Sequence, residues 1–170
     1  MSNELTKLSL INTNLRKYTF MCPKIKKWVE DSSSGLVLNL FAGKVFLNLN
    51  EVRNDLDKSM NANYNKDALI FVKEWKGKKF DTIILDPPYS YRKSMEFYNG
   101  NLNSKFKQIA DNIERILNKD GIIISFGYHS TFMGKKRGYK LKELCVFAHS
   151  GSQHCTIGII EQKQNSEEKS

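Results

Sequence analysis

The chain has 170 residues, a formal net charge of +9 and 40% hydrophobic residues, enough for one domain with a buried core. Charges interrupt every apolar run before membrane-spanning length and the start, MSNELTK, is polar, so neither a spanning helix nor a secretory signal is read, and a cytoplasmic protein is expected. The cysteines Cys22, Cys145 and Cys155 are odd in number and lack a repeated short spacing, which argues against a disulfide framework.

Residues 1–22 read as irregular or weakly helical. Pro23 suits the first position of a short helix over 23–30, with Ile25, Trp28 and Val29 turned inward. After a turn-rich break, residues 36–40 read as a buried strand running into Phe41-Ala42-Gly43. A second short strand is expected over 51–55. A third is expected to end at Asp67, where a helix begins over 68–76 that Gly77 closes. Phe80–Leu85 is the clearest strand, a continuous apolar run of the kind found where helices cover both faces of a sheet. Pro87 and Pro88 stop it, because proline brings no N–H to the ladder. Residues 90–103 read as a polar and aromatic loop. Residues 104–118 read as an amphipathic helix with Phe106, Ile109, Ile113, Ile116 and Leu117 on one stripe. Residues 122–126 form the next expected strand, and 144–148 with 156–160 a hairpin around a Ser-Gly turn. The polar remainder, 161–170, reads as a disordered tail, leaving 1–160 as a single domain. The sum is an α/β fold, a mostly parallel sheet with a late antiparallel hairpin.

Ligands of open α/β sheets bind beyond the carboxyl ends of the strands. The residues at those ends are Gly43, Asp55, Asp67 and, after the fourth strand, Asp86-Pro87-Pro88-Tyr89. The tetrapeptide suits one kind of chemistry. The exocyclic amine of a nucleic-acid base is a poor nucleophile, its lone pair being delocalised into the ring. Acceptors on both N–H groups favour a pyramidal nitrogen; the Asp86 carboxylate supplies one and the Pro87 carbonyl another, on a backbone stiffened by two prolines. Tyr89 offers a flat face to a base that has left its stack, a contact worth about 1–3 kcal/mol. A strand-ending turn with an Asp cap is the plainer alternative, but it requires neither Tyr89 nor the upstream residues.

The run Ile84-Leu85-Asp86-Pro87-Pro88-Tyr89 resembles the catalytic motif of S-adenosylmethionine-dependent methyltransferases acting on adenine N6 in DNA. Leu38-Asn39-Leu40-Phe41-Ala42-Gly43 resembles their cofactor motif, in the gamma-type order. The resemblance implies a Rossmann-like class I methyltransferase sheet, S-adenosylmethionine as cofactor, and nucleic acid, DNA before RNA, as partner. It implies that the loop carrying Asn39, Phe41, Ala42 and Gly43 passes beneath the methionine part of the cofactor. Asp55, with Asp57 as substitute, would hold the ribose hydroxyls, and Asp67, followed by Ala68, would meet the adenine amine. The upstream Tyr18-Thr19-Phe20, two residues before Pro23 is reached, resembles the segment that closes over the methionine carboxylate, which brings in Thr19 and Phe20. Asn118-Lys119-Asp120-Gly121 is similar to the segment after the fourth helix of such folds.

The chain departs from that pattern in three ways. Lys44 stands where the cofactor loop usually continues to a second glycine. Gly43 to Asp55 spans 12 positions (55 − 43), and Asp55 to Asp67 likewise 12 (67 − 55), whereas a dinucleotide-type unit takes about 20 from glycine loop to acidic residue. The first two crossover helices are therefore expected to be trimmed or missing. There is also no room for a target-recognition domain, so sequence choice falls to loops, a homodimer or a separate recognition subunit, or does not arise. Gly43-Lys44 is no triphosphate loop, because the earlier glycine and the following Ser or Thr are absent.

Lysine and arginine cluster at Lys24, Lys26 and Lys27, at Lys76, Lys78 and Lys79, at Arg92 and Lys93, and at Lys135, Lys136 and Arg137. Positive surface attracts polyanions, and Tyr91, Arg92, Lys93, Lys135, Lys136 and Arg137 are the nucleic-acid-binding candidates; a solvated basic surface has the same composition. Cys145, His149, His154 and Cys155 lie close in sequence, but scattered Cys and His in a core hairpin is the simpler reading and no metal is expected. Tyr128-His129 follows the fifth strand at the ligand edge. Three functions stand at this point: adenine-N6 methylation of DNA, methylation of an RNA base at adenine N6 or guanine N2, and a non-catalytic nucleic-acid-binding pseudo-methyltransferase.

Overall fold

The computed structural model describes residues 6–87, 101–127, 130–152 and 154–164. Among these, the strands are β1 (Lys7–Thr13), β2 (Val37–Asn39), β3 (Glu51–Arg53), β4 (Phe80–Leu85), β5 (Leu117–Gly127), β6 (Tyr139–His149) and β7 (Thr156–Lys163). They form one sheet in the order β1-β6-β7-β5-β4-β2-β3. Every pairing is parallel except those β7 makes with β5 and β6. The α/β sheet with a closing antiparallel hairpin is therefore as the sequence predicts.

Helix α1 (Pro23–Ser32) starts on proline, whose fixed φ and missing N–H suit the first turn, and buries Ile25, Trp28 and Val29. Those residues meet Phe20, Ile84, Ile124, Phe126 and Phe147 on one face of the sheet. Trp28 lies edge-on to Phe147 and Phe126, with ring centroids 5.5 and 6.0 Å apart; such pairs add about 0.5–1.5 kcal/mol beyond the area they bury. On the other face, α2 (Ala68–Glu74) and α3 (Asn101–Ile113) set Phe71, Val72, Ile109 and Ile113 against Leu38, Ile83, Leu85 and Ile123. Covered on both sides, β4 carries the continuous apolar run from which it was read.

Several expectations need correction. Residues 7–13 are a strand, not irregular. They pair in parallel with β6, from Lys7↔Glu143 to Thr13↔His149, and a partner so distant in sequence leaves no local signal. Their exposed Leu8 and Leu10 also invert the usual inside-apolar pattern. The third strand shrinks to a single parallel bridge, Asn54↔Tyr64. β5 begins at Leu117 and β6 at Tyr139, earlier than expected. β7 runs through Lys163, so a tail starting at 161 begins too soon. Glu161 is 1% exposed and accepts the N–H groups of Phe132, Met133 and Gly134 at 2.9, 2.8 and 2.8 Å; its carboxyl oxygens sit inside because three donors meet them there. Residues 165–170 lie outside the described residues, as do 90–100 of the expected loop and Tyr128-His129, while 101–103 of that loop already belong to α3. No helix among the described residues is long and apolar enough to cross a membrane.

The trimmed crossovers are found. Residues 40–50, between β2 and β3, contain no helix, and only a 3₁₀ turn, Lys58–Met60, lies between β3 and α2. The chain leaves β2 for β3 on one side, and β4 pairs with β2 on the other. That reversal is the topological switch point at which doubly wound sheets hold ligands.

Candidate active site

A cavity of about 780 Å3 lies at the switch point, beyond the carboxyl ends of β2, β3 and β4, within the range of small-molecule sites. Asp55, Asp57, Asp67 and Asp86 all line it, and Phe20, Phe41, Ala42, Leu56, Met60 and Ala68 supply apolar wall. Of the cofactor candidates, Thr19, Phe20, Phe41, Ala42, Gly43, Asp55, Asp67 and Ala68 line this cavity.

Asn39 does not. It is fully buried on β2, and its amide donates to Glu51 at 3.1 Å. Direct contact with a ligand is thereby corrected to support of the loop that follows. The same network holds a residue that sequence reasoning missed, Arg53. Its guanidinium donates to Glu51 at 2.8 Å, to the Val45 carbonyl at 2.8 Å and to the Gly43 carbonyl at 2.7 Å, while the Phe46 ring stacks on it at 3.9 Å. Glu51 in turn accepts the Leu47 N–H at 3.1 Å. Arginine suits this place because its planar fork reaches several acceptors at once without losing its charge. Residues 42–47, which carry no helix, are held in shape from below by a buried ion pair.

Gly43 turns the loop at φ +59, and a Cβ built there meets nothing within 4 Å. The turn therefore presents bare backbone to the cavity, and glycine adopts it without steric cost. The Gly43 N–H donates to Asp55 Oδ2 at 2.9 Å, and Asp55 Oδ1 accepts from the Asp57 N–H at 2.9 Å. A carboxylate offers about four lone-pair sites, so Asp55 retains acceptor capacity toward the cavity. Asp57 accepts from the Ser59 N–H, and hydrogen bonds from Ser59 hold its carboxyl below the usual range. Asp67 caps α2, its Oδ1 accepting from Leu69 and Ile70 at 3.0 and 3.4 Å. Asn54, also missed, stitches these ends together: its amide donates to the carbonyls of Leu40 and Lys66 at 3.3 and 3.0 Å and accepts the Lys66 N–H at 3.1 Å.

Asp86 is half-buried and Pro87 buried where β4 ends, both on the same cavity. Pro88, Tyr89, Tyr91, Arg92 and Lys93 lie outside the described residues. The far wall comes from Leu15–Tyr18 and from the β6–β7 connection, where His149 Nε2 and Thr156 Oγ1 are 2.8 Å apart.

Lys135, Lys136 and Arg137 are not brought to the cavity. They precede Tyr139, which pairs with Lys163 at the amino-terminal edge of β6. Arg137 is held there by Asp111 of α3, with contacts of 3.1 and 2.7 Å. Cys145 packs in the core beside α1, and burial pushes its thiol up to about 11. Among the described residues no three His, Cys, Asp or Glu side chains gather as metal ligands.

The sheet order, the switch-point cavity and the residues at the strand ends give the chain the fold of S-adenosylmethionine-dependent methyltransferases. Solved structures carry that likeness. TrmN from Thermus thermophilus superposes with a TM-score of 0.60 at 14% identity, covering 84% of this chain and 49% of its own, so the chain spans about half the length of TrmN. A candidate rRNA methylase from Clostridium thermocellum gives 0.53 at 10% identity over 88% of this chain and 100% of its own. The 1,6-didemethyltoxoflavin-N1-methyltransferase of Burkholderia thailandensis, solved with S-adenosylhomocysteine, gives 0.57 at 10% identity over 82% and 76%. At these identities the likeness is one of fold. No family model and no curated protein matches the sequence.

Proposed function

We propose that the chain transfers a methyl group from S-adenosylmethionine to the exocyclic amine of a nucleic-acid base, adenine N6 in DNA first among them. The observation that carries this reading is that Asp86 and Pro87 line the same cavity as Gly43, Asp55 and Asp67. The residues fit the cofactor: bare backbone at Gly43 permits close approach of a bulky group, Asp55 and Asp57 suit ribose hydroxyls, and Asp67 with Ala68 suits an amine-bearing flat ring. Phe20, Phe41 and Thr19 line the same cavity as Gly43 and suit the methionine portion.

The cofactor supplies an electrophilic methyl on a positively charged sulfur. Asp86 and the Pro87 carbonyl accept the two N–H groups of the target amine and aim its lone pair, so positioning provides much of the rate. When bound, the cofactor would give up that methyl to the aimed lone pair and keep the bonding electrons on sulfur, and the surplus amine proton would leave to water. Pro88 and Tyr89 complete the motif in sequence, Tyr89 as the face on which the base stacks.

The test is methylation with labelled S-adenosylmethionine followed by digestion to nucleosides. Label in N6-methyladenine from DNA is expected, with turnover lost in Asp86→Ala while calorimetric cofactor binding and circular dichroism are retained. Label only outside N6-methyladenine overturns the adenine assignment, and unfolding of Asp86→Ala makes it a structural cap. An RNA base, at adenine N6 or guanine N2, is the second reading, favoured by the likeness to the Clostridium thermocellum protein; tRNA and rRNA as parallel substrates separate the two. No calorimetric cofactor binding would mark a nucleic-acid-binding pseudoenzyme instead.

A further inference from the structure

A second hollow of about 430 Å3 adjoins the cavity, and Arg16 and Cys22 line both. Its polar lining is Asn12, Thr13, Asn14, Arg16, Lys24 and Ser150, with no carboxylate among the described residues around it. The main cavity is mixed in character, carrying Asp55, Asp57, Asp67 and Asp86 beside Arg16, Lys17, Lys44 and Lys66. Arg16 and Lys24 are exposed, and Lys24 is anchored by donating to the Asn12 carbonyl at 2.6 Å. Carboxylates are thus confined to the inner cavity, and the described lining of the outer groove offers only cations and neutral polar groups.

We infer that this outer groove receives a backbone phosphate of the strand whose base enters the cavity. The inference rests on the reading that a base is the acceptor. An extruded base takes its sugar with it but leaves its flanking phosphates at the pocket mouth, where anions need cations and find Arg16 and Lys24. Arg16 sits where both hollows meet, so one side chain serves the passage between them. Amides and a hydroxyl around the cations add neutral donors for phosphate oxygens. The cluster Lys135–Arg137 does not compete for this role, because it lies at the amino-terminal end of β6, the end away from Ser150, with Arg137 paired to Asp111.

The experiment uses the full chain with fluorescein-labelled single-stranded DNA and RNA, titrated by anisotropy across a salt series, beside calorimetry with S-adenosylmethionine. The double variant Arg16→Ala/Lys24→Ala is expected to bind about tenfold more weakly, and its slope of log K against log salt to fall by about 0.7, the increment for one single-strand phosphate. Lys135→Ala/Lys136→Ala is expected to keep both affinity and slope. An unchanged slope in the first variant, loss in the second, or no strand binding at all overturns the groove. The two readings fail separately. Strand binding that depends on Arg16 and Lys24 without cofactor binding keeps the groove and removes the methyltransferase; methyl transfer with an unchanged slope does the reverse. The tighter-bound strand says whether DNA or RNA is the source of the phosphate.

Discussion

The two halves of the sheet are held together by different means. β5 and β6 are 11 residues each and β7 is 8, long enough for ladder bonds to satisfy their backbones. β2 and β3 have three residues each, and the third strand is a single bridge. Backbone groups there must find partners elsewhere, and they find side chains: Arg53 takes the carbonyls of Gly43 and Val45, Asn54 those of Leu40 and Lys66, and Glu51 the N–H of Leu47. In the half that carries the site, the loops between the short strands take their shape from buried polar side chains. Where crossover helices are trimmed, the side-chain network is what sets the ligand-binding loop.

The largest expected effect follows from that dependence. Arg53→Ala leaves Glu51, 6% exposed, without its cation, and breaking such a buried pair costs about 3–5 kcal/mol. Urea unfolding measures it. The double variant Arg53→Met/Glu51→Leu should recover much of the stability, because well-packed apolar replacements of buried pairs are often neutral. It should not recover cofactor affinity, because the bonds to Gly43 and Val45 stay lost. A cost under about 1 kcal/mol for Arg53→Ala, the scale of an exposed pair, would erase the contrast between the halves.

The long-stranded half holds two buried carboxylates, Glu161 and Glu143, and the second sharpens the comparison. Glu143, on β6, accepts from Trp28 Nε1 at 3.0 Å, Ser9 Oγ at 3.0 Å and Lys7 Nζ at 3.2 Å. Burial works against its ionisation, but Trp28, Lys7 and Ser9 outweigh that and hold its carboxyl below the ordinary value of 4.5. A carboxylate lowered in the folded state stabilises fully above its unfolded pKa, and the contribution drains as pH falls through the folded value. Acid should therefore weaken the wild-type fold from about pH 4.5 downward. Trp28→Phe removes one donor to a charged group, about 1.5–3 kcal/mol at neutral pH, and should flatten the acid dependence. Urea midpoints at neutral and acid pH check both; an unchanged acid slope would mean that Trp28 does not tune Glu143.

The sequence made legible what is local. α1 shows in Pro23 and in the spacing of Ile25, Trp28 and Val29, β4 in its unbroken apolar run. The clustering of Gly43, Asp55, Asp67 and Asp86 follows from chain order, because the switch point gathers successive strand ends. The clamp beneath the loop was hidden by alternation. Glu51-Val52-Arg53 sets one valine between two charges, yet the charged side chains are only 6% and 3% exposed and pair with each other. Val52 packs against the core, and the two charges on the other face satisfy each other and the loop. Asn39 was drawn into the ligand set by its place in a motif. On a strand, side chains alternate, and the alternation sends Asn39 to Glu51 instead of to the cavity. β1 escaped because its partner is β6 and nothing nearby marks that edge.

The smallest expected change in stability tests the site most directly. Gly43→Ala places a side chain at φ +59, where a built Cβ touches no protein atom within 4 Å. The penalty to the fold is then only that of left-handed backbone, about 1–2 kcal/mol. Compensation from packing is absent, and so is any clash. What the methyl group does meet is the space of the cavity that Gly43 lines. If the cofactor passes against this turn, calorimetric affinity for S-adenosylmethionine should fall at least tenfold, more than a uniform loosening of the fold explains, while Arg53 and Asp55 keep their bonds to a backbone that has not moved. Equal affinity in Gly43→Ala and wild type would place the cofactor away from the loop and leave the buried clamp of Arg53 and Glu51 as scaffolding alone.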